Sequence, residues 1–420
     1  MSAPTTHRST AVDHESERGV DVRKWALIII GSILLISLLR VITGANDLDS
    51  SGAVAAAFGL AVPIALAGLG GLWSERAGVV NIGLEGMMIL GTWSAAFFAY
   101  HMGPWMGILG GALGGLVGGL IHAIATVYFG VDHIVSGVAL NVMGVGAAKY
   151  LASRFFSDLP GGGPTQSPPL DQPPNLSVPF IGDPLLTLER KHIFVVSDLA
   201  GIVRGLTTGV SVVTILASAL FVLTYWVLWR TAFGLRLRSV GESPAAAESL
   251  GVNVYRYKFI GVLVSGALAG LGGAFLSLVA SNLYRDGQTG GRGFIGLAAM
   301  IFGNWRPGGL LAGSALFGYT DAIRLRAGGA SVHAFLLAFA VLLLLVGVYQ
   351  IVKRSAYVQG GFAIAVAALT AWWYVTTDTV AAELAGTAPY VTTLLVLAFA
   401  SQRLRMPAAD GQIYRKGSGH

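Results

Sequence analysis

Long apolar runs recur along almost the whole chain, and few folds can accept them. They fall at residues 25–43, 53–72, 79–100, 104–129, 134–152, 207–229, 257–281, 293–305, 309–323, 332–351, 359–376 and 388–402. A hydrocarbon core of about 30 Å needs roughly 20 apolar residues per helix, and inside it every backbone polar group must find a partner in the protein. Of the 420 residues 54% are apolar and only 11% charged, against roughly 25% charged in soluble domains. The expected fold class is therefore an all-α polytopic membrane protein with about ten to twelve transmembrane helices. The runs at 293–305 and 309–323 are short for a crossing, and Pro307-Gly308-Gly309 stands between them. They are either two spans or a re-entrant, broken pair that leaves about ten full spans.

Charge marks topology. Arg18, Arg23 and Lys24 close a polar tail, residues 1–24, and place it in the cytoplasm by the positive-inside rule. Alternating from there puts Glu75-Arg76 inside, the loop 153–206 outside, the segment 231–256 inside, and Lys353-Arg354 and the tail 403–420 inside. Arg230, Arg236, Arg238, Arg256 and Lys258 bracket the 231–256 segment and agree with that count, whereas Arg324 and Arg326 do not fit it. The membrane domain is expected over 25–402. The outside loop contains Pro160-Gly-Gly-Gly-Pro164 and Ser167-Pro-Pro-Leu-Asp-Gln-Pro-Pro174, which resist helix and central strand, while Phe194 to Leu206 suits a short surface helix.

Several function classes drop out. The net charge of +6 comes without a basic stripe and interleaved aromatics, so nucleic acid is not an expected partner. With no cysteine there is no thiolate site. No Gly-x-x-x-x-Gly-Lys phosphate loop and no His-Glu-x-x-His motif occur, and Ser136 and Ser265 lack a Gly-x-Ser-x-Gly elbow. The chain reads as non-catalytic, without a cofactor. His101 and His122 have no partner at metal spacing and read as structural. Many of the 58 glycines lie inside apolar runs, as in Gly110-Gly111, Gly114-Gly115 and Gly118-Gly119, a spacing that suits close helix packing.

Two segments carry more information. In the cytoplasmic segment, Ser243 is placed as an N-cap, Pro244 as the first helical residue, and Gly251 as the stop of a two-turn helix. Ala246, Ala247 and Leu250 would form a small apolar face able to enter a groove on another protein, rimmed by Glu242 and Glu248. In the second segment, Asn81 and Glu85 stand at i, i+4 just inside an apolar run, and an acid at membrane depth is costly unless paired or hydrated. Glu85 is thus either a pathway residue or a structural carboxylate bonded to backbone or a neighbouring helix. Asn141 lies within a span, where helix-to-helix bonding is the commoner use. Asn304 and Trp305 precede the Pro-Gly break, where backbone can line a cavity, and Trp305 equally suits an interfacial anchor.

The segment Gly234-Leu-Arg-Leu-Arg-Ser-Val-Gly241-Glu242-Ser-Pro244-Ala-Ala-Ala-Glu248-Ser-Leu-Gly251 resembles the coupling loop of importer permeases, which docks on an ATP-binding cassette subunit. Leu72-Trp-Ser-Glu75-Arg76-Ala-Gly78-Val-Val-Asn81-Ile-Gly83-Leu-Glu85-Gly86 resembles nucleoside and simple-sugar permeases related to those for branched-chain amino acids. Val131 to Asn141, Gly291 to Pro307 and Pro407 to Lys416 continue the likeness, which spans roughly residues 55–415 outside the enlarged loop. The resemblance implies an importer permease bundle in the bacterial cytoplasmic membrane, with both termini cytoplasmic. Its implied partners are an ATP-binding subunit, a second permease and an extracytoplasmic solute-binding protein. It assigns ATPase coupling to Gly241, Glu242, Ala246, Ala247, Glu248, Leu250 and Gly251, while the polar residues within or at the ends of the spans, Asn81, Glu85, Asn141 and Asn304, are the candidate solute pathway. Nucleosides are the implied cargo; simple sugars, branched-chain amino acids and an ion-coupled secondary transporter are the alternatives.

Overall fold

The computed structural model describes residues 22–381 and 404–417, with Leu384 and Thr387 between them; for 22–25, 28, 29, 327, 328 and 330 it describes the backbone alone. The 1–24 tail lies outside the described residues except for its last three, which open α1 (Val22–Thr43). Then follow α2 (Ser51–Arg76), α3 (Leu84–Met102) and α4 (Pro104–Ala123), which ends in a π-helical turn, Ile124–Tyr128. After α5 (His133–Phe155) the loop carries β1 (Asn175–Leu176), α6 (Gly182–Glu189), α7 (Val196–Thr207) and β2 (Val210–Ser211). The rest is α8 (Val212–Arg230), α9 (Ala232–Glu242), α10 (Pro244–Ser249), α11 (Val254–Phe275, with a π turn to Ala280), α12 (Arg292–Phe302), α13 (Pro307–Arg354) and α14 (Tyr357–Thr376). Among the described residues seven helices are long and apolar enough to cross a membrane. The chain is an all-α polytopic membrane protein.

The glycine doublets explain the centre of the bundle. Residues one apart on a helix point about 100° apart, so α4 presents two glycine faces at once. The first of each doublet meets α3: a Cβ on Gly110, Gly114 or Gly118 would come within 3.0 Å of Phe98, Leu90 or Met87. The second meets α11, where Gly266 and Gly270 lie so close that an added Cβ would stand 2.8 Å from the Cα of Gly119 or Gly115. Without a hydrophobic drive between helices in lipid, such close approach is what holds them. Buried Leu69, Leu72, Ala95, Phe275 and Met300 fill the space where α2, α3, α11 and α12 converge.

The apolar runs resolve with one merger. At about 1.5 Å per residue α12 is about 16 Å long and cannot cross, in keeping with a re-entrant piece; it lies along α2 with Gly296 against Gly68 and Met300 against Gly71. The runs at 309–323 and 332–351, expected to be separate, are one continuous helix, α13. No proline interrupts it, and Arg324 stays on the helix by pairing with Asp321 at 2.7 Å, which Arg292 also reaches at 3.3 Å. The run at 388–402 lies outside the described residues.

The enlarged loop is built rather than loose. Its expected helix is α7, and β1 pairs antiparallel with β2 through Asn175–Ser211 and Leu176–Val210. The proline-rich stretch is pinned to the segment after α11, with Ser167 and Leu170 donating to Tyr284 O and Asn282 O at 3.0 and 2.7 Å. Buried Arg40 at the end of α1 reaches Asp49 at 3.4 Å and Asp198 of α7 at 2.9 Å. The first turn of α2 is held by the same loop: Ser51 N–H donates to Glu189 at 2.8 Å and Arg204 donates to Ser51 Oγ at 2.6 Å.

Candidate functional site

At the other end of α2 a second set of charged residues gathers, among them Glu75, Arg76, Glu242, Lys258 and Asp410. Thr231 starts α9 by accepting the Gly234 N–H at 3.2 Å, and Pro244 opens α10. Ser243 sits at the N-cap, but its side chain makes no cap bond; the turn closes through Ala247 N–H to Ser243 O at 3.0 Å. Gly251, at φ +80°, supplies the left-handed turn that ends α10 and folds Val252 N–H back onto Ala247 O at 3.0 Å.

That turn corrects the expected apolar face. Ala246 is exposed and Leu250 is 85% exposed, but Ala247 is only 3% exposed and packs with Val240, Val252, Val254, Tyr257 and Tyr414 of its own chain. Ala247 stands about 100° round from Ala246, and Val252 and Val254 are brought over it. Gly241 and Glu242 also act within the chain: Gly241 leaves no room for a Cβ beside the Arg76–Gly78 backbone, and Glu242 pairs with Arg76 at 3.7 Å. Glu248 touches Tyr414.

Between α12 and α13 the turn is made by Asn304 and Trp305, at φ +55° and +51°. The left-handed region is tolerable for asparagine and strained for tryptophan. Three sets of bonds hold it. The Trp305 indole N–H donates to Glu75 Oε2 at 2.6 Å, Arg76 donates to Trp305 O from Nε and Nη2 at 3.0 and 2.6 Å, and Asn304 Oδ1 accepts the Arg405 N–H at 2.7 Å. Trp305 is therefore buried and is not an interfacial anchor, because its one donor is aimed at a buried carboxylate.

The four expected pathway residues do not meet. Asn81 is not on a helix with Glu85; it lies in the turn before α3, where its amide donates to Ser265 at 2.8 Å and its carbonyl accepts Gly83 N–H at 3.1 Å. Glu85, 7% exposed, accepts the Gly291 and Gly293 amides of α12 at 3.0 and 2.7 Å. It caps the positive end of a half-helix inside the bundle, where those amides have no helical partner. Asn141 braces α5 to the start of α3, accepting Gly86 N–H at 2.8 Å and donating to Ile82 O at 3.0 Å. His122 is likewise structural, bonded to Ser136 at 2.9 Å and Val80 O at 3.1 Å. Each polar group sits on a different internal partner.

The residues that sequence reasoning passed over lie beside α10. Lys258 at the foot of α11 is buried and donates to Gly78 O at 2.8 Å. Asp410 stands among Glu75, Lys258 and Arg76; burial pushes its carboxyl up to about 7, against the opposing pull of those three neighbours. Glu75-Arg76 and Lys258 at span ends carry the same signal as any topological charge, and that reading hides their work as cross-links.

The model of the branched-chain amino acid transport system permease component matches residues 53–347. The chain belongs to this family. It is 37% identical over 271 residues to the guanosine ABC transporter permease protein NupQ of Bacillus subtilis, covering 63% of this chain and 78% of that one. Identity to the nucleoside ABC transporter permease protein NupC of Lactococcus lactis subsp. cremoris is 38% over 263 residues, 61% of this chain and 76% of the relative. The putative glucose ABC transporter permease protein TsgC13 of Haloferax volcanii is 32% identical over 278 residues, covering 66% and 78%. No solved structure matches. This permease is a multi-pass membrane protein of a transport system.

Proposed function

We propose that the chain is the permease subunit of an ATP-driven importer for nucleosides, moving solute by alternating access while a separate cassette subunit hydrolyses ATP. The observation that carries this reading is α10: a two-turn helix offering Ala246 and an 85% exposed Leu250 at its surface, yet preceded by Gly241 packed on the end of α2 and Glu242 paired with Arg76. An exposed apolar residue on so short an element fits a groove in a partner protein. Its end of the molecule faces the cytoplasm, and the clamped loop 153–206 faces the extracytoplasmic side, where a solute-binding protein delivers cargo. The membrane is the bacterial inner membrane.

Because Asn81, Glu85, Asn141 and Asn304 are all engaged inside the chain, the solute path runs along a face of the bundle, and a second permease closes it. The outward side of α5, with exposed Ile134, Val138 and Val142 at helical spacing, offers such a face. Nucleoside cargo rests on the relatives named for guanosine and nucleoside transport; the relative named for glucose supports a sugar as the second reading. Competition decides between them. In vesicles carrying the complete complex, unlabelled guanosine should block ATP-dependent uptake of labelled guanosine while glucose and leucine do not. Uptake of glucose, with no effect of guanosine, would reject the nucleoside assignment.

A further inference from the structure

Residues 405–414 have no regular secondary structure, yet they touch α2, α9, α10, α11 and the α12–α13 turn. Arg405 N–H binds Asn304 at the α12–α13 turn at 2.7 Å. Ala408 N–H donates to Glu242 at 3.1 Å and Ala409 N–H to Gly241 O at 2.9 Å, both at the end of α9. Pro407 and Ala409 are buried. Asp410 faces Glu75 and Arg76 of α2, and Lys258 of α11 reaches Gln412 O at 3.5 Å. Ile413 lies against Gly130 between α4 and α5. Tyr414 packs its ring 5.2 Å from Tyr255, touches Glu248 of α10, and covers the small core that contains Ala247.

A segment outside regular helix or strand loses backbone entropy when it is fixed, so an ordered one must be held by contacts along its length. Here those contacts alternate between α9–α10 on one side and the ends of α2, α11 and α12 on the other. From the α10 core the route runs through Tyr414, then Ala409 and Ala408, to Arg405 and the strained Asn304-Trp305 turn.

We propose that residues 405–414 are a strap that positions α10 against the ends of α2, α11 and α12, so that displacement of α10 by the cassette subunit reaches the α12–α13 turn. The proposal rests on the permease reading given above. Its residues act through others: Tyr414 and Ala408 are positioning residues that touch neither solute nor nucleotide.

The test uses the full-length chain with its second permease, cassette subunit and binding protein in proteoliposomes. Solute imported and ATP hydrolysed are measured together, and complex assembly is checked by co-purification. The combined Ala408→Pro and Tyr414→Ala variant should assemble and hydrolyse ATP while solute moved per ATP falls at least about fivefold, the low end of ordinary coupling between sites. Tyr414→Phe, which keeps the ring on Tyr255, should restore the wild-type ratio when placed with Ala408 intact. An unchanged ratio in the combined variant would overturn the strap alone, as would assembly, hydrolysis and uptake all falling in proportion. Wild-type uptake indifferent to ATP would overturn the permease reading and the strap with it.

Discussion

The indole N–H of Trp305 donates to the Glu75 carboxylate at 2.6 Å across 230 positions of sequence. This bond, with Arg76 gripping the Trp305 carbonyl, fastens the α12–α13 turn to the end of α2. Arg76 also pairs with Glu242 at the end of α9, and so Arg76 holds both the turn after the half-helix and the element that precedes α10. A rigid contact of this kind is what a force applied at α10 requires if it is to move helices rather than a loop.

Glu75→Gln should disturb transport more than its place at a span end suggests. The amide can still accept the indole N–H, but its NH2 group meets Asp410 where a carboxyl stood. Trp305→Phe removes the donor and leaves a buried acceptor unpaired, a loss of about 1–3 kcal/mol. Thermal unfolding in detergent should show a lower midpoint for Trp305→Phe, and a midpoint equal to wild type would mean that the bond contributes nothing.

Glu85 is expected to serve stability rather than solute selection. Glu85→Ala orphans the Gly291 and Gly293 amides at about 1–3 kcal/mol each, so the variant should unfold at a lower temperature. Competition by solute analogues should keep its wild-type order. A change in that order, with stability intact, would place Glu85 on the solute path after all.

Ala246 and Ala247 are adjacent and should behave oppositely. Ala246→Arg puts a charge on the exposed side of α10 and should abolish ATP-driven uptake while the chain remains folded. Ala247→Arg forces a charge into the core of Val240, Val254 and Tyr414, at a cost that few small cores absorb, and should reduce the yield of folded protein. Size-exclusion profiles beside uptake rates separate the two; matching behaviour would contradict the burial difference between them.

The loop clamp should respond to pH. Burial and the neighbouring Asp198 raise Asp49 to about 7, with Arg40 pulling the other way; His192 faces the same guanidinium at 3.3 Å. A carboxyl whose folded pKa is raised binds a proton that the unfolded chain releases, so this stabilisation is present near pH 4 and is lost as pH rises toward 7. Proteolysis of the 153–206 loop should therefore be faster at pH 8 than at pH 6, and Asp49→Asn should flatten the difference. An equal rate at both pH values in wild type would show that Asp49 does not titrate in this range.

How much of this could be read from the sequence depended on whether the signal was local. The spans were legible because hydropathy acts residue by residue, and α10 was legible from Pro244 at its start and Gly251 at its end. The α4 doublets announced close packing but not the two faces that receive it. Asn81 and Glu85 looked like one helical face because the apolar run begins before the helix does. Ala247 looked exposed because the fold of Val252 and Tyr414 over it is a contact at a distance. Glu75 and Lys258 were hidden for the same reason: a charge at a span end carries one signature in sequence whether it meets water or a buried partner. The continuity of α13 was masked by Arg324 and Arg326, but Arg324 pairs with Asp321 within the helix and Arg326 lies against Gly52 of α2, so neither interrupts it.

The chain has no cysteine, so single-cysteine labelling is free of background. Ser249→Cys on α10 should react with an impermeant thiol reagent only from the cytoplasmic side, and Asp183→Cys in the loop only from the other. Labelling of Ser249→Cys from outside intact cells would invert the proposed orientation.

The most direct test of the account is uptake by proteoliposomes with and without the cassette subunit. Labelled nucleoside should accumulate only when the complete complex, its loaded binding protein and ATP are present, and the chain reconstituted alone should carry none under an imposed sodium or proton gradient. Gradient-driven accumulation by the chain alone would contradict the account.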